Sequence, residues 1–489
     1  MFTNDEDIKQ KTIDGGKGYA IISLISQVFS WVFTFLVIRL LNPSDYGLMA
    51  MASFLTSYIQ VFSNLGLGAG IIQRHNVTRN DLSSIFWFSS FIGVAMSVAV
   101  YFLAYPNAII FERDELIPIT QLSAILFIIS SISTVPQNIL SRRYEFKSIA
   151  KINLVAAFIS SVASIILALL DFGVYTLVLS SIILSSVTTI GFIYKSKWLP
   201  DLHFNYNDVH SFLKFGFLLS LASTLSHLLD TIDKLIIGKL YSVSQLGHYS
   251  TAINISDMPI DKISPLISPI IFPMLSRWKD DKTKCFDAYL NILTYYLLVI
   301  SPIYIGGIIV ADDLIEVVLG EKWVPIIVIF QFFCWVRFFK VLSSYHKVLI
   351  TSQGLARNIL KYDGIMLIVL MTGIYLAAIN EFYYILYVWA IVYPIITMAW
   401  IFSSIRKFGE TVHRQYSKAV LLGVMAALFM GVGLIALKYY LLPILLINIS
   451  QVILLVILLL FGVLLYISFL YFFQKDLIKH AIATLLHKS

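Results

Sequence analysis

Long uncharged apolar runs recur along the whole chain and limit its fold more than any other feature. The runs Leu154–Leu170 and Ile444–Phe473 contain no Asp, Glu, Lys or Arg. A helix needs roughly 20 apolar residues to cross the hydrocarbon core of a bilayer. Only 13% of the 489 residues are charged, whereas soluble proteins carry about 25%. The sequence therefore predicts an all-α polytopic membrane protein and excludes a large soluble helical protein.

Fourteen apolar segments are predicted to span the membrane, as two sets of six followed by two more. They lie at residues 18–41, 46–70, 83–105, 116–138, 149–170, 173–194, 211–238, 246–273, 286–311, 324–346, 358–379, 381–404, 419–437 and 444–473. This pattern divides the chain into a tail, an N-lobe, a loop, a C-lobe, two further helices and a second tail. Their bounds are residues 1–18, 19–194, 195–210, 211–404, 405–473 and 474–489.

Lysine and arginine are unevenly shared between the two sides of the predicted bundle. We call the side that carries the N-terminus the in side, and its loops hold most of these residues. The out-side loops hold only Arg39, Arg113, Lys239, Lys322 and Lys438. Because cytoplasmic loops are enriched in Lys and Arg, we expect both termini in the cytoplasm of a bacterial cell and the helices in its inner membrane. The polar, mixed-charge start of the chain predicts a cytoplasmic tail rather than a cleaved signal.

Several function classes find no support in the sequence. The net charge of +7 is spread over short loops rather than along one helix face, so we expect no nucleic-acid partner. The two cysteines, Cys285 and Cys334, are too few for a disulfide framework or a usual metal site. No phosphate-binding glycine loop or nucleophile elbow is present. We therefore expect no enzyme activity, no metal and no cofactor. Transport energy would come from a gradient, from the membrane potential or from downstream consumption of the product.

A weak repeat links the two sets of six spans. The stretch Val37–Gly47 is echoed 200 residues later by Ile237–Gly247, with matching basic, Leu, Ser and Gly positions. Each stretch joins the first and second spans of its set, so the two sets share one orientation. Transporters built from such parallel repeats bind substrate between the halves. Chance similarity between apolar segments is the alternative.

Charged residues inside predicted spans carry the mechanistic signal. Spans 7, 8 and 10 contain the charged residues Asp230, Asp233, Lys234, Asp257, Asp261, Lys262, Arg337 and Lys340. A charge at the bilayer centre costs about 2.5–3.5 kcal/mol on insertion scales, so these groups must face water or one another. We expect a hydrated cavity whose cations attract an anionic head group and whose acids bind a coupling Na+ or H+. The alternative is a static network that only holds the helices together.

Spacing refines this expectation. On a regular helix Asp230 and Lys234 pair at i, i+4, Asp257 and Asp261 share a face, and Arg337 lies one turn before Lys340. Span 8 also contains four prolines, which remove backbone donors and favour bends or breaks. They are Pro259, Pro265, Pro269 and Pro273. We therefore expect span 8 to line the cavity, either as a bending helix or as a rigid kinked one.

Several motifs in order resemble the Wzx-type polysaccharide flippases, closest to the colanic acid and teichuronic acid exporter-like subgroup. They lie at Arg39–Gly47, Leu65–Arg74, Ser84–Trp87, Arg142–Lys147, Asp233–Gly238, Leu246–Tyr249, Phe272–Arg277 and Gly320–Trp323. The resemblance implies the fold of the multidrug/oligosaccharidyl-lipid/polysaccharide superfamily, with two six-helix lobes in a V and two added helices. It marks Arg39, Arg74, Arg142 and Asp233 as the matched charged residues. Leu229 departs from the subgroup, which often has a polar residue there.

The same resemblance implies a transport activity. An undecaprenyl-diphosphate-linked repeat unit would be flipped from the cytoplasmic to the periplasmic leaflet by alternating access, for surface polysaccharide synthesis. We expect the diphosphate to meet Arg74 and Arg142. The glycan would pass Arg337 and Lys340, which are not family motif positions and are chosen from the cavity charges alone. Expected partners are this glycan, membrane lipid, a polysaccharide polymerase and a chain-length regulator. A cation-coupled drug antiporter of the same superfamily and a membrane-embedded glycan polymerase are the alternatives.

Overall fold

The computed structural model describes residues 27, 29–63, 71, 77–205, 224–442 and 450–475. Within these ranges the ordered elements are helices, and no strand occurs. The chain divides into two compact units, Met1–Ser250 and Thr251–Ser489. The predicted all-α fold is thereby confirmed, while the predicted lobe boundaries remain predictions.

The helices follow one another with short connections. In the described part of the first unit they are α1 Phe29–Leu40, α2 Pro43–Ser63, α3 Arg79–Phe111, α4 Leu116–Ser123, α5 Ile125–Arg142, α6 Phe146–Leu169, α7 Tyr175–Ser196 and α8 Ile232–Leu240. Helix α9, Val243–Arg277, begins in the first unit and ends in the second. The described part of the second unit continues with α10 Lys282–Ile309, α11 Ala311–Val318, α12 Ile326–Ser352, α13 Ala356–Ala378, α14 Tyr384–Tyr387, α15 Tyr393–Ile405, α16 Val412–Ala436 and α17 Gln451–Phe473.

Within the described residues, ten helices are long and apolar enough to cross a membrane. They correspond to ten of the fourteen predicted spans, so the chain is a multi-pass membrane protein. The other four predicted spans are the first two of each set of six. The first and seventh predicted spans extend into residues outside the described ranges. Helices α2 and α9, in the second and eighth predicted spans, carry more polar side chains than the ten apolar helices do. The count of fourteen therefore remains a prediction.

The surface of these helices is apolar, as a lipid environment requires. Ile109, Ile190 and Val432 are 76%, 66% and 69% exposed, and Phe472 is 75% exposed. Lipid solvates such side chains without penalty, whereas backbone polar groups must be satisfied inside the helix. The buried side chains of the described residues are mostly aliphatic and aromatic, with Ser and Thr residues interspersed among them.

Small residues dock the thirteenth predicted span, α16, onto α10. Small side chains recur at every fourth position of α16, at Ala419, Gly423, Ala427 and Gly431. The hydroxyls of Thr294 and Ser301 on α10 donate to the carbonyls of Ala419 and Gly423 over 3.2 and 3.1 Å. Close backbone approach through small residues is the usual basis of helix association in membranes. Within the second unit, the first of the two added helices is therefore packed directly on α10.

Helix α9 is longer than the span predicted from the sequence. It runs unbroken for 35 residues, about 50 Å at 1.5 Å per residue, whereas the hydrocarbon core is about 30 Å thick. The four prolines do not end it, because each removes only a single backbone donor and leaves the other helical bonds in place. The prolines therefore do not break the helix, and the expected bend or kink stays a prediction.

The in-side loops of the first unit lie at one end of its helices. The guanidinium of Arg79 lies 2.6 Å from the carboxylate of Asp201, and Lys195 lies 3.6 Å from Glu145. These contacts join the start of α3 and α6 to the residues that end or follow α7. The loops that the charge pattern assigns to a single side of the membrane are thus grouped together.

An out-side cation of the second unit is enclosed by acids. The ammonium of Lys438 lies 2.5 Å from Asp312 and 2.6 Å from Asp313, and it donates to the carbonyl of Ile309 over 3.1 Å. A π-helical turn at Leu437–Leu441 carries this lysine. Two carboxylates neutralise it, which explains why an out-side loop tolerates a lysine.

Candidate functional site

The two linkers that echo each other in sequence have the same local structure. Helix α1 ends at Leu40 and α2 begins at Pro43, while α8 ends at Leu240 and α9 begins at Val243. Both pairs of boundaries differ by 200 residues. The repeat is therefore present in the backbone as well as in the sequence.

The same capping arrangement starts the second helix of each pair. The carboxylate of Asp45 accepts from the backbone N–H of Asn42 over 2.8 Å. The amide oxygen of Gln245 accepts from the backbone N–H of Ser242 over 3.1 Å. In both cases the third residue of the helix satisfies a backbone donor of the cap residue, as in a capping box.

Glycines at matching positions allow these two helix ends to touch. A Cβ on Gly47 would lie 2.0 Å from the carbonyl oxygen of Val243, and a Cβ on Gly247 would lie 1.7 Å from the carbonyl oxygen of Pro43. The contact is reciprocal, since each glycine meets the first residue of the other helix. No residue with a side chain fits either position without moving the backbone.

The seventh predicted span is interrupted where the sequence predicted a continuous helix. Residues 224–229 are helical, residues 230 and 231 form a turn, and α8 follows. The hydroxyl of Thr231 donates to the carbonyl of His227 over 2.8 Å. Its single proton is thereby used, so the hydroxyl of Tyr58 donates to Thr231 over 2.6 Å. Broken helices at membrane depth occur where backbone is covered by protein or faces a cavity.

The charged residues of this span differ in their burial and contacts. Asp233 is 1% exposed and accepts from the hydroxyl of Tyr249 over 2.7 Å. Asp230 lies exposed at the break. The pairing predicted for Asp230 and Lys234 assumed an unbroken helix, which the turn removes. Asp233 therefore has a structural contact within the first unit.

An ion pair joins α9 to α12 in the second unit. The Nε and Nη2 atoms of Arg337 lie 2.6 and 2.7 Å from the two carboxylate oxygens of Asp257. The guanidinium carbon lies 5.3 Å from the ring centre of Phe333. The Arg337 side chain is 6% exposed and that of Asp257 is 22% exposed. The Nη2 atom donates a charge-assisted hydrogen bond to Asp257, and the Nε atom adds an ion-pair contact.

Two further charges complete this group. Asp261 lies one turn beyond Asp257 on α9 and is exposed, and its carboxylate interacts electrostatically with Asp257, Lys340 and Arg337. We call Asp257, Asp261, Arg337 and Lys340 the intramembrane charge cluster. The structure thus brings together the four charges predicted on spans 8 and 10. Their contact with a substrate remains a prediction.

Tyrosines that the sequence reasoning did not single out surround the charge cluster. The hydroxyl of Tyr304 donates to the carbonyl of Ser256 over 3.1 Å, and the hydroxyl of Tyr296 lies 3.0 Å from that of Ser264. The ring of Tyr345 lies 4.3 Å from that of Tyr296. With 27 tyrosines in the chain, no sequence signal separates these three from the rest.

The described arginines that the family resemblance marks belong to the first unit, whereas the charge cluster belongs to the second unit. Arg142 donates to the carbonyl of Ile71 over 2.6 Å, and Arg39 is exposed near the end of α1. Arg74 lies outside the described residues. Among the described residues no three His, Cys, Asp or Glu side chains are grouped as a metal site would need.

Comparison with known families identifies the chain. A family profile described as "Polysaccharide biosynthesis protein" matches residues 36–328, more than half of the chain. The chain belongs to this family. The membership in a polysaccharide biosynthesis family that the sequence motifs predicted is thereby confirmed.

Individual relatives cover most of the chain. The teichuronic acid biosynthesis protein TuaB of Bacillus subtilis strain 168 is 25% identical over 400 residues, 81% of this chain and 80% of its own length. The lipopolysaccharide biosynthesis protein WzxC of Escherichia coli K12 is 24% identical over 329 residues, 67% of each chain. A structure of the lipid II flippase MurJ in an inward closed conformation covers 94% of this chain and 100% of its own, with a TM-score of 0.72 at 16% identity. The last likeness shows a shared fold.

Proposed function

We propose that this family member is a transporter, not an enzyme, and that it flips an undecaprenyl-diphosphate-linked oligosaccharide from the cytoplasmic to the periplasmic leaflet. The repeat unit would serve synthesis of an O-antigen, a capsule or an exopolysaccharide. Family membership, relatives named for teichuronic acid and lipopolysaccharide biosynthesis, and the fold shared with a lipid II flippase support the proposal.

The intramembrane charge cluster is the observation that carries this proposal. Arg337 and Asp257 neutralise each other, while Asp261 is exposed and Lys340 is half-buried beside them. Charges inside a membrane protein face a hydrated path or a partner. Lys340 provides a cation for an anionic head group, and Asp261 provides a carboxylate for a coupling cation.

The proposed cycle keeps the prenyl chain in lipid while the head group crosses by alternating access. In such a cycle, helix ends that touch on one side of the membrane separate when the cavity opens to that side. The reciprocal contact at Gly47 and Gly247 is a candidate for this opening. We further propose that a gradient of Na+ or H+ drives the cycle. Arg142 already donates a hydrogen bond to the carbonyl of Ile71. It would therefore stabilise the cytoplasmic entrance and would not be the sole residue that binds the diphosphate.

The proposed architecture follows the charge pattern of the loops. It has fourteen transmembrane helices, two six-helix lobes in a V and two added C-terminal helices in the bacterial inner membrane. Both termini lie in the cytoplasm. A polysaccharide polymerase and a chain-length regulator are the proposed partners on the periplasmic side.

A deletion strain of the source bacterium tests this function against the drug-antiporter alternative. We expect loss of surface polysaccharide and accumulation of a lipid-linked repeat unit that a membrane-impermeant oxidant or lectin does not reach. Sensitivity to cationic drugs should stay unchanged. Normal surface polysaccharide together with raised drug sensitivity would overturn the proposal. Adding an ionophore to proteoliposomes that flip a labelled lipid-linked glycan tests the coupling cation separately.

A further inference from the structure

A groove between α13 and α15 in the second unit is not used by the proposed transport path. Its volume is about 440 Å³. It is lined by Asn358, Lys361, Tyr362, Ile365, Ile396, Ala399, Trp400, Ser403, Ser404 and Lys407. None of these ten side chains is acidic. The groove therefore combines an apolar wall with a rim that carries only positive charge.

The rim lies at the in-side end of the two helices. Lys361 is in the second turn of α13, and Lys407 is in the short turn that follows α15. Both lysines are exposed, and among the described residues neither forms an ion pair. The nearby acid Asp363 lies 2.7 Å from Lys347 instead. Two cations without an ion-pair partner among the described residues thus flank the opening, which the loop-charge pattern predicts to lie near the in-side head groups.

The floor of the groove is rigid. The rings of Tyr362 and Trp400 stack with centres 4.1 Å apart and an angle of 18° between their planes. The hydroxyl of Tyr362 lies 2.9 Å from that of Thr397, and Trp400 also packs edge-on against the buried ring of His346. These contacts fix the aromatic floor from behind, so a ligand would not have to order it.

Toward the membrane interior the groove becomes apolar. Ile365 and Ile396 line this part, and Ile365 is 56% exposed. Ile368, one turn further along α13, is 69% exposed. An amphipathic molecule would therefore place a charged head at the two lysines and a hydrocarbon chain along the isoleucines.

We propose that this groove binds an anionic phospholipid of the in-side leaflet, with its phosphate between Lys361 and Lys407. Basic pockets between transmembrane helices on the cytoplasmic side favour anionic head groups, and each lysine near such a surface contributes about a five-fold gain in affinity. The continuous apolar wall selects a lipid over a soluble phosphate. The site is independent of the glycan, so its test does not require transport.

The test measures binding of fluorescent phosphatidylglycerol to the purified full-length protein. The double variant Lys361→Gln/Lys407→Gln should bind about 25-fold more weakly, since two lysines are lost. The control Lys147→Gln/Lys151→Gln removes two exposed lysines from the in-side end of α6 and should bind as the unchanged protein does. All variants should have the same thermal midpoint, because the four lysines are exposed.

A second variant tests whether binding needs the space of the groove as well as its two lysines. Ala399→Trp fills the space while leaving both lysines in place, and it should weaken phosphatidylglycerol binding to a similar extent. Phosphatidylcholine should bind weakly to every protein, and inorganic phosphate at millimolar concentration should not compete. The proposal would be overturned if the Lys361/Lys407 variant bound phosphatidylglycerol as strongly as the unchanged protein. It would also be overturned if the Lys147/Lys151 control lost as much affinity as that variant, or if inorganic phosphate competed.

Discussion

At the scale of single residues, the pair Asp257–Arg337 decides between a transport role and a purely structural one. Both groups are largely enclosed and their atoms meet at 2.6 and 2.7 Å. Removing one member of such a pair leaves an uncompensated charge, whereas removing both members does not. A double substitution can therefore separate the two roles.

We expect Arg337→Met to destabilise the protein by about 3 kcal/mol, because the Asp257 carboxylate would lose its partner. The double variant Asp257→Asn/Arg337→Met should recover most of this stability. Glycan export should stay low in both. Thermal unfolding in detergent and quantified surface polysaccharide provide the two measurements.

A second ion pair of the same unit serves as the control. Lys347 lies 2.7 Å from Asp363, which is 2% exposed. The variant Lys347→Met/Asp363→Asn should retain both stability and export. If the Asp257/Arg337 double variant exported glycan as well as this control does, the cluster would be a static network and the cavity interpretation would be wrong.

At the scale of helices, the contact between the starts of α2 and α9 depends on two glycines. A Cβ at position 247 would meet a carbonyl oxygen at 1.7 Å, and backbone cannot yield as a flexible side chain can. The two helix ends would have to separate. The glycines at the ends of the repeated stretches are thus needed for contact between the repeats rather than for turns.

Gly247→Ala is expected to destabilise the protein by about 2 kcal/mol through this overpacking. Gly364→Ala is the matched control, because that helical glycine has no atom within 4 Å of an added Cβ. The control should be neutral or more stable by up to about 1 kcal/mol, as alanine favours helix. Equal thermal midpoints for the two variants would show that the close approach is absent in the membrane protein.

At the scale of the whole molecule, the loop charges predict one orientation for every helix. The structure groups Arg79 with Asp201 and Lys195 with Glu145 at one end of the first unit. It groups Lys438 with Asp312 and Asp313 among the out-side residues of the second. Within each unit these groupings agree with the sides that the charge pattern assigns to the loops, while the number of spans stays a prediction.

Reporter fusions test this orientation. A fluorescent protein attached after Ser489, or within 406–418, should be fluorescent, because the proposed arrangement places these segments in the cytoplasm. Alkaline phosphatase fused after Gly320 should be active, since it would lie in the periplasm. An active phosphatase within 406–418 would require an odd number of spans before it and would contradict the fourteen-helix arrangement.

Apolar runs and loop charges were sufficient to predict the all-helical membrane fold, because lipid leaves helices as the simplest way to satisfy the backbone. The echo at Val37–Gly47 and Ile237–Gly247 was readable as sequence, and so were the charges on α9 and α12. Short-range patterns of this kind follow from local chemistry. The role of each charge stays a prediction.

Tertiary packing alone decided which groups meet. The pairing of Asp257 with Arg337 joins residues 80 apart, and the glycine contact joins residues 200 apart in number. The break at residues 230–231 and the unbroken α9 both oppose local propensity, since the first contains no proline and the second contains four. Side chains from distant helices stabilise such features, as the Tyr58–Thr231 contact does for the break. The local periodicity of a sequence does not indicate which distant residues will form such contacts.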